Sequence, residues 1–161
     1  MKKIPLTQGK FALVDDEDFD FLNQRKWCAH KYKSGYRVMR KEGSRKKQVV
    51  IYMHRILLNP KKNQQIDHAN RNGLDNRRTN LRICTAEQNN WNHGLRKNNT
   101  NGYIGIVKKP LAGGRENYQA RIWSKSRCIC LGTFDTIIKA CEAYNKAAKK
   151  LRGEFAVFNT T

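Results

Sequence analysis

The chain has 161 residues, room for one medium domain or two small ones, and 33 Lys and Arg against 13 Asp and Glu leave a net charge of +20. A surplus that large repels itself unless a polyanion neutralises it, which points to nucleic acid rather than to merely solvated basic faces. No long apolar run and no basic amphipathic stretch of the membrane-surface type is present, so a membrane is excluded as the partner.

The charge is spread along the chain: residues 1–95 carry a net +11 and residues 96–161 a net +9, so both halves are expected to touch a phosphate backbone. Five cysteines (Cys28, Cys84, Cys128, Cys130 and Cys141) are an odd number without a Cys-x-x-Cys. No apolar leader core follows Met1-Lys2-Lys3-Ile4-Pro5. This pattern fits a reducing cytoplasm better than a disulfide framework or a structural zinc site.

In chain order, residues 10–53 read mostly as short strands. Lys10-Phe11-Ala12-Leu13-Val14 runs into Asp15-Asp16-Glu17-Asp18, an acidic cluster that suits the first turn of a helix carrying Phe19, Phe21 and Leu22 better than a metal site. Tyr36 to Arg40 and Gln48 to Tyr52 flank a Gly43-Ser44-Arg45-Lys46-Lys47 turn, the pattern of a hairpin. Residues 54–95 are dense in Asn, Asp and Arg, a composition poor for a core and suited to chemistry.

Within that polar stretch, residues 64–92 read as strand, loop, strand and helix. Gln65-Ile66-Asp67-His68 is the first strand, Ala69 to Thr79 a polar loop with Gly73 at its turn, and Asn80 to Cys84 the return strand. Thr85-Ala86-Glu87-Gln88 fits a capping box, which starts a helix and places Asn89 in its first turns. Such a unit can gather Asp67, His68, Asn80 and Asn89. Phosphodiester cleavage needs a base near neutral pH, which His supplies, and a hard cation, for which a carboxylate and an amide oxygen are suitable donors. His30 and His93 lack a matching partner set, and Asn90 and Asn92 are alternatives to Asn89.

A polar spacer from Lys97 to Gly102 reads as a linker, with the domain boundary between 96 and 97. Beyond it, Tyr118, Ala120 and Ile122 alternate with Gln119, Arg121 and Trp123, a strand with two unlike faces. Cys128 to Leu131 can pair with it, ending at Gly132. From Thr136, Ile137, Ala140, Cys141, Tyr144, Ala147, Ala148 and Leu151 recur at helical spacing, and Gly153 stands where a left-handed cap belongs. That helix would cover the Tyr118 and Ile122 face.

Asp67-His68, Asp75-Asn76-Arg77, Asn80-Leu81-Arg82 and Thr85-x-x-x-Asn89, led in by His54-Arg55-Ile56-Leu57-Leu58, resemble the HNH homing endonucleases of phages, with their ββα-metal unit. The resemblance implies His68 as general base, Asp67 and Asn89 as metal ligands, and Asn80 as the residue that orients the histidine or braces the loop. His54 carries over as structural. It also implies 5′-phosphate and 3′-hydroxyl products and a divalent cofactor, Mg²⁺, with Mn²⁺ or another divalent cation as alternatives. Asn89 stands where the colicin-type enzymes have His, which points to the homing-type branch.

Residues 101–159 resemble the Apetala-type (ethylene-response-factor) DNA-binding domain through Tyr103-Ile104-Gly105-Ile106, Tyr118 to Ile122, Leu131 to Asp135, Ala143-Tyr144, Ala147-Ala148, Leu151 to Glu154 and Asn159. That family lays a three-stranded sheet into the major groove. The resemblance thus offers Lys108, Lys109, Gln119, Arg121, Trp123, Lys125 and Arg127 as the DNA-binding set, with Arg121 reading guanine and the lysines and Arg127 meeting phosphates. First-strand residues Ile104 and Val107, and Cys128 and Cys130, depart from the plant pattern, so the plant target is not expected to transfer.

The resulting expectation is an α+β protein. Residues 1–96 hold short strands and an HNH unit, and residues 97–161 a three-stranded antiparallel sheet packed on one helix. Its expected activity is metal-dependent hydrolysis of double-stranded DNA by a monomer or homodimer with no protein partner. The rival readings are an inactive DNA-binding regulator on the same scaffold and a basic RNA-binding protein.

Overall fold

The computed structural model describes every residue except 33, 34, 45, 46, 96, 97 and 161. Its contacts divide the chain into two units, Met1–Asn89 and Asn90–Thr161. The expected boundary at 96/97, two of the five residues of the expected 43–47 turn and the first residue of the expected linker lie outside the described residues.

The first unit opens with an antiparallel hairpin of β1 (Lys2–Pro5) and β2 (Phe11–Val14), which buries Ile4, Ala12 and Val14. Helix α1 (Asp16–Asn23) follows, with Asp16, Glu17 and Asp18 in its first turn, where carboxylates complement the positive end of the helix dipole. A three-stranded antiparallel sheet comes next, formed by β3 (Cys28–Tyr32), β4 (Gly35–Glu42) and β5 (Val49–Tyr52) in that order. One of its faces carries Ala29 and Val38 into the core; the other carries Tyr32, Arg37 and Tyr52.

Helix α2 (Met53–Leu58) buries Met53, His54 and Leu57, and ends at Asn59 in a left-handed conformation (φ 41°), whose N–H donates to the Arg55 carbonyl. The two-stranded ribbon β6 (Gln65–His68) and β7 (Leu81–Cys84) then pairs Asp67 with Arg82 and His68 with Leu81. Helix α3 (Ala86–Trp91) starts with the expected capping box: Gln88 N–H donates to Thr85 Oγ1 (3.2 Å), and Thr85 N–H donates to Gln88 Oε1 (2.9 Å). The core of this unit joins Ile4, Val14, Leu22, Trp27, Val38, Met53, Leu57, Ile66 and Leu81. It therefore draws on the N-terminal strands as much as on the ribbon.

The second unit is an antiparallel sheet, β8 (Ile106–Pro110), β9 (Glu116–Ser124) and β10 (Arg127–Phe134), with β9 central and α4 (Ile137–Arg152) packed on it. Ile106, Ala120, Ile122, Ala140, Cys141, Tyr144 and Ala148 form the core. The Thr136 side chain caps α4 by accepting from Lys139 N–H. Gly153 ends the helix at φ 54° and ψ −127°, a region open to glycine rather than the left-handed helical cap that the sequence suggests. The tail is stitched back by Asn159, whose amide donates to the Ile104 carbonyl and accepts from the Ile104 N–H.

Candidate active site

The centre of the first unit is the loop 69–79, which joins β6 to β7. Asn80 closes it. Its Oδ1 accepts from Asn70 N–H (2.9 Å), its Nδ2 donates to the Asp75 carbonyl (2.8 Å), and its own carbonyl accepts from Ala69 N–H (2.8 Å). Asn80 is buried, so these bonds bridge both ends of the loop away from water. Of the two roles weighed for it, these bonds are of the bracing kind.

Asp75, almost fully buried, accepts from Asn70 Nδ2 (2.8 Å) and from Arg77 through Nε (2.8 Å) and Nη2 (2.6 Å). The Arg77 bonds hold its carboxyl below the usual carboxylate range against the opposing effect of burial.

Three anchors dock this loop on the N-terminal elements. Leu13 of β2 exchanges backbone bonds with Leu74 (2.9 Å) and Asn76 (2.8 Å). Arg78 reaches α1, where Nε and Nη2 grip both oxygens of Asp18 (2.8 Å each) and its N–H donates to Asp15 (2.7 Å). Gly73 lies on β4, where a methyl group in its place would overlap the Tyr36 carbonyl oxygen and stand 3.2 Å from Arg37 Cγ. Gly73 is therefore needed for close approach. The left-handed residue of the loop is Arg71 (φ 63°).

His68 ends β6, is 8% exposed, and meets the ring of His54 edge-on at 5.2 Å and 90°. Burial lowers its pKa below the ordinary histidine value; the Asn76 amide beside it opposes this, Arg37 adds to it, and Asp67 and Asp75 oppose it. The ring is therefore neutral near pH 7. His54, stacked on Tyr52 at 5.5 Å and 15°, is pushed down to about 3, first by burial and then by His68, Arg37 and Arg55.

Asp67 is buried on the opposite face of the ribbon from His68, paired with Arg82 across the strands. Gln65 shares the Asp67 face, and Asn89 Nδ2 donates to Gln65 Oε1 (2.6 Å). The helix thus delivers the Asn89 amide to the side of the ribbon that carries Asp67. Gln65 holds its nitrogen end.

Sequence reading missed the part of five residues here. Arg78 and Asp18 are 60 residues apart, and no local pattern links them. Arg37 belongs to a strand read only as half of a hairpin. The partner role of Asn76 is visible only once the loop is folded. Arg82 stood inside a quoted motif without a role.

In the second unit, Gln119, Arg121 and Trp123 share one face of β9, with Val107 and Lys109 of β8 and Cys128 and Cys130 of β10 alongside. Trp123 is 57% exposed there. Gln119 Nε2 donates to Cys130 Sγ (3.4 Å). Lys125 and Arg127 are exposed at the tight turn between β9 and β10, where Lys125 and Ser126 have positive φ. Lys108 stands on the other face, and its ammonium pairs with Glu116 (3.1 Å). The register thus separates Lys108 from Lys109, Gln119, Arg121 and Trp123 of the expected DNA-binding set, and Arg127, paired with Ser124 at the turn, also starts on the Ile122 face.

Residues 45–91 match the family model described as HNH endonuclease. Over 154 residues the chain is 29% identical to an uncharacterized HNH endonuclease of Acanthamoeba polyphaga mimivirus, in an alignment covering 94% of this chain and 76% of that protein. No solved structure matches it. The ribbon, its braced loop and the capped helix all fall inside the matched span; residues 45–91 are an HNH endonuclease domain, and the two likenesses together support an HNH nuclease.

Proposed function

We propose that the chain is a divalent-metal-dependent endonuclease acting on double-stranded DNA, of the phage homing or free-standing type. One observation carries this reading: a neutral, buried imidazole, His68, adjoins a buried carboxylate, Asp67, at the end of a single strand. A neutral imidazole can take the proton of an attacking water, and the neighbouring carboxylates Asp67 and Asp75 favour the imidazolium that forms. Water attack on phosphorus with loss of the 3′ oxygen leaves a 5′-phosphate and a 3′-hydroxyl.

Among the described residues, no three His, Cys, Asp or Glu side chains gather as a metal cluster. The donors at this site are instead one carboxylate and one amide oxygen, which suit a hard, largely hydrated ion such as Mg²⁺ better than a soft one. Asp67 and Asn89 would hold it, and when bound it would neutralise charge on the phosphate and the departing oxygen. Asn80 keeps the loop closed, so that His68 meets the substrate in one orientation.

The second unit would lay the open face of β8–β10 on the duplex, as the Apetala-type resemblance implies. Arg121 and Trp123 would face the bases, with Lys109, Lys125 and Arg127 toward phosphates. Supercoiled plasmid libraries incubated with wild type and His68→Ala, in Mg²⁺ and in EDTA, test the reading. Nicked or linear DNA from wild type in Mg²⁺ alone supports it. Intact plasmid with bound protein in every condition would instead support the inactive regulator.

A further inference from the structure

Arg37 lies outside the span matched by the HNH model and outside every motif in the sequence, yet it borders the loop 69–79. On β4 it pairs across the sheet with His30 and shares its face with Tyr32, Lys41 and Tyr52. Its stem packs on Gly73 of the loop that follows His68. Its guanidinium lies over the Tyr32 ring, 5.0 Å from the centroid. The Tyr32 hydroxyl is itself fixed by a bond to the Tyr52 hydroxyl (2.6 Å), and Tyr52 stacks on His54, which abuts His68.

Arg37 is therefore exposed, its guanidinium held by a ring platform, and tied to the two imidazoles by the Tyr32, Tyr52 and His54 contacts and by its packing on the loop that follows His68. Among the described residues it forms no ion pair with a carboxylate, unlike Arg77, Arg78 and Arg82. A fixed cation that faces solvent beside a phosphodiester-cleaving centre has one evident complement. A planar guanidinium matches two phosphate oxygens at once.

We propose that Arg37 binds a backbone phosphate of the substrate strand at the active centre, and that the outer face of β3 and β4, with His30, Arg37 and Lys41, forms the track along which that strand enters. The proposal rests on the reading of the first unit as a nuclease acting on duplex DNA. It extends the substrate site beyond the HNH span into the N-terminal sheet. Arg37 becomes a group that touches substrate, and His30 and Lys41 contact flanking phosphates.

The test compares wild type, Arg37→Gln and Arg37→Lys. Gln keeps the methylenes that pack on Gly73, and Lys keeps the charge. Binding to a random-sequence duplex of about 30 base pairs is measured in EDTA over a salt series, and cleavage of supercoiled plasmid in Mg²⁺ at saturating DNA. Loss of one phosphate contact lowers the slope of log affinity against log salt by about 0.9. Arg37→Gln is expected to show that decrease and a cleavage rate down about 10- to 100-fold, the loss of a charge-assisted contact. Arg37→Lys is expected to restore the slope but only part of the rate.

If wild type cleaves and Arg37→Gln matches it in slope and rate, the proposal is wrong while the nuclease reading stands. A lower slope with an unchanged rate at saturation would overturn the placement at the active centre. If wild type neither binds nor cleaves duplex, the DNA reading itself fails and takes the proposal with it.

Discussion

Acidifying the protein from about pH 7 to about pH 4 should cost the first unit roughly 3 kcal/mol through His54 alone. The folded ring titrates at about 3, against 6.5 in the absence of the fold. Between those values the unfolded chain binds a proton that the folded chain refuses. Stability is therefore complete above the unfolded pKa, falls as the pH drops through that window, and levels off below the folded pKa. Each unit in the window is worth about 1.4 kcal/mol, and pH 4 lies about 2.5 units into it.

The perturbation that isolates this effect is His54→Phe. It keeps a flat ring against Tyr52 and an edge against His68 but removes the titration. His54 Nδ1 has no hydrogen-bond partner among the described residues, so Phe gives up nothing at that atom. Urea unfolding followed by Trp27, which is 3% exposed in the first unit, with Trp91 and Trp123 of the second unit replaced by Phe, gives stability at each pH. Losses from carboxylates such as Asp75 are common to both proteins. The difference between the two acid limbs should thus be roughly 3 kcal/mol in favour of Phe. Parallel limbs would mean that His54 is not desolvated, and the packing account of the His54–His68 contact would be wrong.

Four further outcomes follow from the geometry. Asn80→Ala leaves the Asn70 N–H and the Asp75 carbonyl without partners and should cost about 2–4 kcal/mol, read by denaturant unfolding, with faster amide exchange confined to residues 69–79. Arg78→Ala strands the Asp18 carboxylate, whose side chain is 10% exposed; because Arg78 is itself half exposed, the expected loss is about 1–3 kcal/mol, and a double-mutant cycle with Asp18→Asn should show coupling of about 1 kcal/mol or more. Gly105→Ala would force a side chain into φ +72° and into the Arg121 carbonyl and the Tyr144 ring, so the second unit should lose more than about 3 kcal/mol by thermal melting while Trp27 reports an unchanged first unit. Arg121→Ala should lose about 1–3 kcal/mol of discrimination between a preferred and a random duplex, whereas Lys109→Ala should weaken all duplexes alike; equal losses for both would refute base reading by Arg121.

What the sequence made legible was local. The alternation in Tyr118 to Trp123 located β9 and its covered face, because period-2 burial is written directly in the side chains: Ala120 and Ile122 are buried and Arg121 and Trp123 exposed. The Thr85 and Gln88 pair located the start of α3 for a similar reason, since both of its bonds span three residues. Gly73 was placed correctly in the loop but for a different physical reason: the close approach of the Tyr36 carbonyl on β4, far upstream in the chain, decides its identity. Lys108 read as a phosphate contact because it is basic, and only the register shows it on the far face beside Glu116. The clamp of Asp18 on Arg78 left no trace, since a bidentate pair across the fold has no sequence period.

These long-range ties explain why the HNH span does not by itself account for the site. Residues 45–91 contain the ribbon, the loop and α3, but a loop of this composition has almost no apolar side chain to bury. Its backbone groups must find partners, and some lie upstream, in Leu13 on β2 and Asp15 before α1, while Asp18 holds the Arg78 side chain and Tyr36 and Arg37 on β4 pack closely on Gly73. The upstream elements are held in turn by a core in which Ile4, Ala12, Val14, Leu22, Trp27 and Val38 pack with Met53, Leu57, Ile66 and Leu81 of the matched span. A polar catalytic loop stays ordered because apolar burial elsewhere fixes the donors and acceptors around it. The same N-terminal sheet that anchors the loop then exposes Arg37 from its central strand, so the scaffold that positions His68 also carries the cation proposed to meet a phosphate.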